Sequence, residues 1–343
     1  MDPLFDRLAL LAQTAYARLL DQLLVSSVGD LASGVSLVSK NIRGRRYWYA
    51  QTRRTGKKVQ TYVGPDSPET ARLVERWRVA RAEASARSEL IAIARAGGAY
   101  VLPAAEARVL ALLAPVFRMG GVLVGSHAFA VLGNSLGVRW REALVRTEDI
   151  DLAADAHIDV AVGRELKSVE LDTLLGGAIP RIPLLHPTYP ATSFQVRGTS
   201  IEVDVLTPLV GRERSRPVTI AALGAAASPL RFLDYLVEET QPGAALGGEG
   251  VLVTVPRPGR FALHKLIVAS RRRPAGAAVT KARKDRAQAS ALIRVLAEEL
   301  PGELSLAWKA LAARGPSWRA AVAASVRLLE PEVAAMLRAH GVR

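Results

Sequence analysis

The chain has 343 residues, half of them hydrophobic, which is enough for a sizeable core and more than one domain and excludes a disordered chain. It contains no cysteine, so a disulfide framework and a thiolate metal site are both excluded. Lys plus Arg is 46 against 32 Asp plus Glu, and the resulting charge of +14 favours polyanionic partners.

No apolar run is long enough to span a membrane, and Met1-Asp2-Pro3-Leu4-Phe5-Asp6 lacks the basic start of a signal peptide, so no membrane contact is expected, and the lack of cysteine fits a cytoplasmic location. Residues 4–25 carry apolar side chains at helical spacing and predict an amphipathic helix. A softer Ser/Gly segment runs from Val25 to Ser39. Gly44 to Pro65 then mixes aromatic with polar and basic residues, turns at Thr55-Gly56 and stops at Gly64-Pro65, which predicts a β-hairpin. Between Lys40 and Lys58 lie eight Lys/Arg and no acid. Ser67 as N-cap and Pro68 at N1 predict the start of a long charged helix ending near Ala96 at Gly97-Gly98.

Pro103 to Phe117 reads as a further helix, followed by a strand at 122–124, a helix at 126–136 and a strand at 149–154. Asn134 to Arg146 reads as a loop containing Arg139, Arg141 and Arg146. An irregular insert bearing Pro180, Pro183, Pro187 and Pro190 follows; its segment 177–191 is a candidate substrate loop. Hairpin strands at 192–197 and 200–206, a short helix at 230–238, a flexible turn from Gly243 to Gly250 and a strand at 251–255 come next. Helices are expected at 259–272, 280–300, 303–313 and 317–340.

Three carboxylates stand out. Asp149 and Asp151 are two apart on one strand and so share a face, and Asp204 sits on another strand. Such acids repel one another and cost desolvation unless a cation joins them, and the hard ion Mg²⁺ suits carboxylate and phosphate oxygens. Gly125-Ser126 closes the strand at 122–124 and opens a helix, where backbone N–H groups and a hydroxyl can hold anionic oxygens; the pair alone is also an ordinary turn and N-cap.

The combination of strand, Gly-Ser, helix, Asp-Ile-Asp strand and a later strand with one Asp resembles the nucleotidyltransferase superfamily related to DNA polymerase beta. The resemblance implies that Gly125 and Ser126 grip the triphosphate. It gives Asp149 and Asp151 to Mg²⁺ (or Mn²⁺), and Asp204 to metal and to activation of the attacking hydroxyl. Arg260 to Leu266 and Lys281 to Gln288 resemble the distal motifs of AbiEii-like toxin nucleotidyltransferases. There Lys265 would reach the triphosphate, and Lys284 and Asp285 would shape the nucleotide pocket. Gln288 stands where that family often has a second acid. Over about residues 40–300 the chain is similar to an uncharacterised bacterial group of nucleotidyltransferase-fold proteins. The implied fold is α+β: a small mixed β-sheet nucleotidyltransferase core with flanking helices, an N-terminal β-hairpin module and a C-terminal helical domain. The expected units are 1–39, 40–98, 99–256 and 257–343.

The resulting expectation is transfer of an NMP group from an NTP to a hydroxyl of RNA, such as a tRNA 3′ end, in a toxin-like setting with a neutralising partner. A protein hydroxyl is the alternative acceptor, and a non-catalytic nucleic-acid-binding protein on the same fold is the alternative function. Arg146, just before the acids, is a candidate phosphate contact. Arg45, Arg46, Trp48, Arg53, Arg54, Lys57 and Lys58 are candidate nucleic-acid contacts, with Tyr47, Trp48 and Tyr49 either stacking on bases or packing on the following helix. His127 and His264 read mainly as packed side chains.

Overall fold

The structure, a computed structural model, describes residues 4–26, 36–54, 57–154, 169–181, 191–209, 211, 216–272 and 275–342, and of residues 36, 52–54, 57–59, 61 and 181 only the backbone. The expected turn at Thr55-Gly56, most of the Pro-bearing insert, Arg273 and the side chains of Arg53, Arg54, Lys57 and Lys58 lie outside the described parts.

The first residues are not helical. Strand β1 (Phe5–Arg7) precedes helix α1 (Leu10–Ser26), which buries Ala12, Ala15, Tyr16, Leu19 and Leu23. β2 (Ser36–Ile42), β3 (Arg45–Arg54) and β4 (Lys57–Pro65) form a three-stranded antiparallel sheet. The expected hairpin is therefore extended by β2, drawn from what reads as a soft segment. Ile42 pairs with Arg45 across Arg43-Gly44, both at positive φ (51° and 76°), the two-residue turn geometry that suits strand twist. α2 (Pro68–Ala96) starts as expected, with Ser67 Oγ accepting the Thr70 N–H. α1 and the end of α2 meet in a small core of Ala12, Leu19, Ile91 and Ala94. A side chain at Gly97 would strike Ala12, so only glycine lets the two approach.

The helix expected at 103–117 is two, α3 (Ala104–Leu112) and α4 (Ala114–Arg118). β5 (Val122–Leu123) and α5 (Gly125–Ser135) follow. The expected loop at 134–146 instead holds strand β6 (Val138–Trp140) and helix α6 (Glu142–Val145), and β6 pairs with β1. Trp140 makes this possible: its indole stacks on Phe129 (4.6 Å) and donates to the Phe129 carbonyl (2.6 Å), so the segment is buried rather than looped. On the far side Arg7 pairs with Glu298 (2.6 Å) and Glu299 (2.9 Å).

β7 (Asp149–Ala153), α7 (Leu171–Leu174), β8 (Ile179–Arg181), β9 (Ser193–Gln195) and β10 (Glu202–Pro208) continue the core. β11 (Val218–Ile220) and β12 (Ala225–Leu230) complete a sheet of order β11-β12-β10-β7-β5, with β9 on the first half of β10 and β8 on β9. β7, β10 and β12 are parallel and the rest antiparallel, the mixed sheet expected. α8 (Leu233–Val237) leads to β13 (Thr240–Ala245), which pairs with β14 (Val251–Pro256). The flexible turn expected from Gly243 is thus partly strand. Its small residues fit where a side chain at Gly243 would strike Val131 of α5.

Helices α9 (Pro258–Arg271), α10 (Ala277–Glu299), α11 (Pro301–Ala312), α12 (Pro316–Val326) and α13 (Pro331–Ala339) finish the chain. The single helix expected at 317–340 is split before Pro331, which cannot continue the first helix's ladder. Leu263, Leu292, Val322 and Leu337 share one apolar core with the sheet. Among the described residues no helix is long and apolar enough to cross a membrane.

One buried side chain fixes the link between the N-terminal and core elements. Asn134 Oδ1 accepts the Tyr100 N–H (2.9 Å) and its Nδ2 donates to the Tyr100 carbonyl (2.8 Å). Asn134→Ala strips both backbone groups of their partner and should cost about 2–4 kcal/mol, read from urea unfolding followed by tryptophan fluorescence.

Candidate active site

The parallel register of β7 and β10 sets Asp204 beside Asp151 and Glu202 beside Asp149. Ile150, Leu152, Val203 and Val205 point the other way into the core, so the acids share the opposite face. Four acids therefore line two neighbouring strands. Glu202 is the one missed on reading the sequence, although Glu202-Val203-Asp204 repeats the acid-apolar-acid pattern of 149–151. Burial first, then the charges of Asp204 and Asp149, push the Asp151 carboxyl up to about 6 against the opposing pull of Lys265 and His127. Asp204 is also raised, by burial and by Glu202 and Asp149, while the Ser193 hydroxyl and Lys281 act in the opposite direction.

Among the described residues no group of three or more His, Asp or Glu side chains is arranged to hold a metal ion. The strand explains this. Asp149 stands exposed at the start of β7, two residues and about 6–7 Å of strand from Asp151. The arrangement is an open pair, Asp151 and Asp204, with Asp149 and Glu202 at its edge. Such a pair suits Mg²⁺, which accepts one or two carboxylates and completes its shell with water and substrate phosphate.

Gly125 is required twice. Its φ is +66°, and a Cβ there would collide with the Asp151 carboxylate. The Val124 N–H donates to the Asp151 carbonyl (3.0 Å), locking the turn into α5 against β7. Ser126 begins the helix half-buried, and Lys284 Nζ donates to its Oγ (3.1 Å) and to the Arg146 carbonyl (2.7 Å). Burial, then the neighbouring charge of Lys265, lowers the pKa of Lys284.

The two lysines have different partners. Lys284, not Lys265, touches the Gly-Ser turn. Lys265 donates to Asp285 Oδ1 (3.0 Å), and Arg272 takes Oδ2 (2.6 Å). Burial works against ionised Asp285, but the two cations outweigh it and hold its carboxyl below the usual range. Lys265 still acts on Asp151 through its charge. Lys281, one turn before Lys284 on α10, bears through its charge on both Asp204 and Lys284.

Arg146 is exposed and lines a cleft of about 650 Å³ with Arg95, Tyr100, Arg139, Glu142 and Glu148, a lining that includes none of the four strand acids. His127 is buried, its Nε2 3.0 Å from Glu106 Oε2, as a packed histidine should be. Burial, helped by Lys265, lowers His264 to about 3 and keeps it neutral. Gln288 is fully buried and donates to the Leu144 carbonyl (2.6 Å), tying α10 to α6. In the N-terminal sheet Arg45 is exposed, while Trp48 Nε1 donates to Asp66 (3.0 Å) and Arg46 lies 3.9 Å from it.

The raised Asp151 carboxyl has a consequence for stability. Between its ordinary value of 3.8 and about 6 the folded chain keeps a proton that the unfolded chain has released, so stability falls as pH rises through that window. In metal-free buffer Asp151→Asn should be more stable than the parent by about 1–3 kcal/mol at pH 7 and nearly equal to it at pH 4. Urea midpoints at the two pH values check this.

A family model described as Nucleotidyltransferase matches residues 106–313, which include Gly125, Ser126, the four acids, Lys265 and Lys284. A second, described as a domain of unknown function (DUF6788), matches residues 16–73, which include β2 to β4. Searches of curated proteins and of solved structures gave no match. With more than half its length matched, and with the Gly-Ser turn set against paired strand carboxylates, the chain belongs to this nucleotidyltransferase family.

Proposed function

We propose that the chain transfers an NMP group from an NTP to a hydroxyl acceptor, RNA above all, with Mg²⁺ (or Mn²⁺) as cofactor. The observation that carries this reading is the placement of Asp204 beside Asp151, with Gly125 packed on the Asp151 carboxylate. Asp151 and Asp204 would hold the ion, with Asp149 at the rim. When bound, it neutralises phosphate charge and orients the phosphates.

The chain's own groups do the rest. Ser126, the first N–H groups of α5 and Lys284 bind the β- and γ-phosphates of the leaving pyrophosphate. Asp204, with its raised carboxyl, takes the proton of the acceptor hydroxyl as its oxygen attacks the α-phosphorus and the bond to pyrophosphate breaks. Lys265, held by Asp285, supplies fixed positive charge toward Asp151. Arg146, whose carbonyl accepts from Lys284, would meet a substrate phosphate.

The chain's charge of +14 and its basic N-terminal segment favour RNA over a protein hydroxyl as acceptor. A toxin-like role with a neutralising partner rests on the AbiEii-like resemblance of 260–266 and 281–288, and a cytoplasmic setting on the absence of cysteine.

Incubation with each α-labelled NTP, Mg²⁺ or Mn²⁺ and total RNA should label an RNA product. Asp204→Asn should lower the rate about 100- to 10,000-fold. Lys284→Ala should raise the KM for NTP about tenfold, the loss of one charge-assisted phosphate contact. If no NTP labels RNA or protein with either metal, the chain is not a nucleotidyltransferase acting on macromolecules.

A further inference from the structure

The N-terminal sheet has two unlike faces. One carries Arg46 and Trp48, both directed to Asp66, and on that side Gly64 leaves no room for a Cβ beside Thr70 at the start of α2. The other carries Lys40, Tyr47, Tyr49, Gln51, Gln60 and Tyr62, brought together by strand register: Lys40 with Tyr47, Tyr49 with Tyr62, Gln51 with Gln60. A bulge between Trp48 and Tyr49 separates the two lots of pairing.

The tyrosine face is built as a surface. Tyr62 lies 6.2 Å from Tyr47 and 5.6 Å from Tyr49, centroid to centroid, yet is 54% exposed. Lys40 Nζ lies 4.9 Å from the Tyr49 ring centre and donates to the neutral Gln60 (2.6 Å), whose amide reaches Gln51 (3.0 Å). Three rings, an exposed cation and two amides share one side of a sheet whose sequence from Lys40 to Lys58 holds eight Lys/Arg and no acid.

We propose that this face binds single-stranded nucleic acid, with bases stacked on Tyr47, Tyr49 and Tyr62, Lys40 on a phosphate and the Gln51 and Gln60 amides on base edges. The charge requires a polyanion, and the rings require exposed base faces, which a duplex hides. The notion that the bound strand is the acceptor rests on the nucleotidyl-transfer reading; the binding itself does not. It also moves the aromatic contact from Trp48, which Asp66 engages, to the three tyrosines.

The test uses the full chain without NTP and fluorescein-labelled 20-mers of single-stranded RNA, single-stranded DNA and duplex, followed by anisotropy. The parent should bind single strands more tightly than duplex. Tyr49→Ala/Tyr62→Ala should weaken single-strand binding about 10- to 100-fold, Tyr49→Phe/Tyr62→Phe should keep it, and the exposed Lys40→Glu should weaken it at least about fivefold. Equal binding of the two single strands, or preference for RNA, supports the proposal. It is overturned if the alanine pair and Lys40→Glu both bind like the parent, or if the parent binds duplex as tightly as single strands. Asp151→Asn/Asp204→Asn should bind unchanged. Strand binding without label transfer therefore sinks the transfer reading alone, and label transfer with an indifferent tyrosine face sinks this one alone.

Discussion

The site depends on one backbone register, the parallel pairing of β7 with β10. Because side chains alternate along a strand, the pairing of Asp151 with Asp204 fixes four acids on one side and Ile150, Leu152, Val203 and Val205 on the other. A slip of one residue on either strand would send carboxylates into an apolar core and its apolar side chains onto the acid face. The energy that holds the register is thus mostly hydrophobic, while the chemistry it presents is electrostatic. The two are separated by the thickness of a single pleated layer.

The anionic side is balanced from a distant part of the chain. Lys265 on α9 and Lys284 and Asp285 on α10 come to β7 because the C-terminal helices share the sheet's apolar core. Asp285 pins Lys265 and Arg272, which leaves Lys284 to reach the Gly-Ser turn. Lys284 is held by the Ser126 hydroxyl and the Arg146 carbonyl, and Lys265 by Asp285, so both cations stand at fixed places rather than on mobile side chains.

Much of this was legible in the sequence, in proportion to how local the signal was. The Ser67-Pro68 helix start, the Gly125-Ser126 turn and the acid-apolar-acid strand are short-range patterns with direct physical causes, and each appears where expected. Elements made by tertiary pairing were missed. β6 exists because Trp140 finds Phe129, β13 because small residues fit against α5, and β1 because β6 offers it an edge. Which lysine touches the Gly-Ser turn was also out of reach. Helical spacing tells which face a lysine occupies, but the Ser126 hydroxyl is 158 residues away from Lys284. Glu202 is different: the acid-apolar-acid spacing of Glu202-Val203-Asp204 puts it on the face of Asp204 from sequence alone.

The pairing of β1 gives the first described residues an unexpected weight. Phe5 to Arg7 lie along β6, which forms part of the cleft wall through Arg139 and Trp140, and Arg7 reaches Glu298 and Glu299 at the far end of the helix that carries Lys284. Those three residues act as a clasp between the cleft wall and the cation-bearing helix. Trimming Phe5 to Arg7 would therefore leave the edge of β6 bare and free the end of α10 from it.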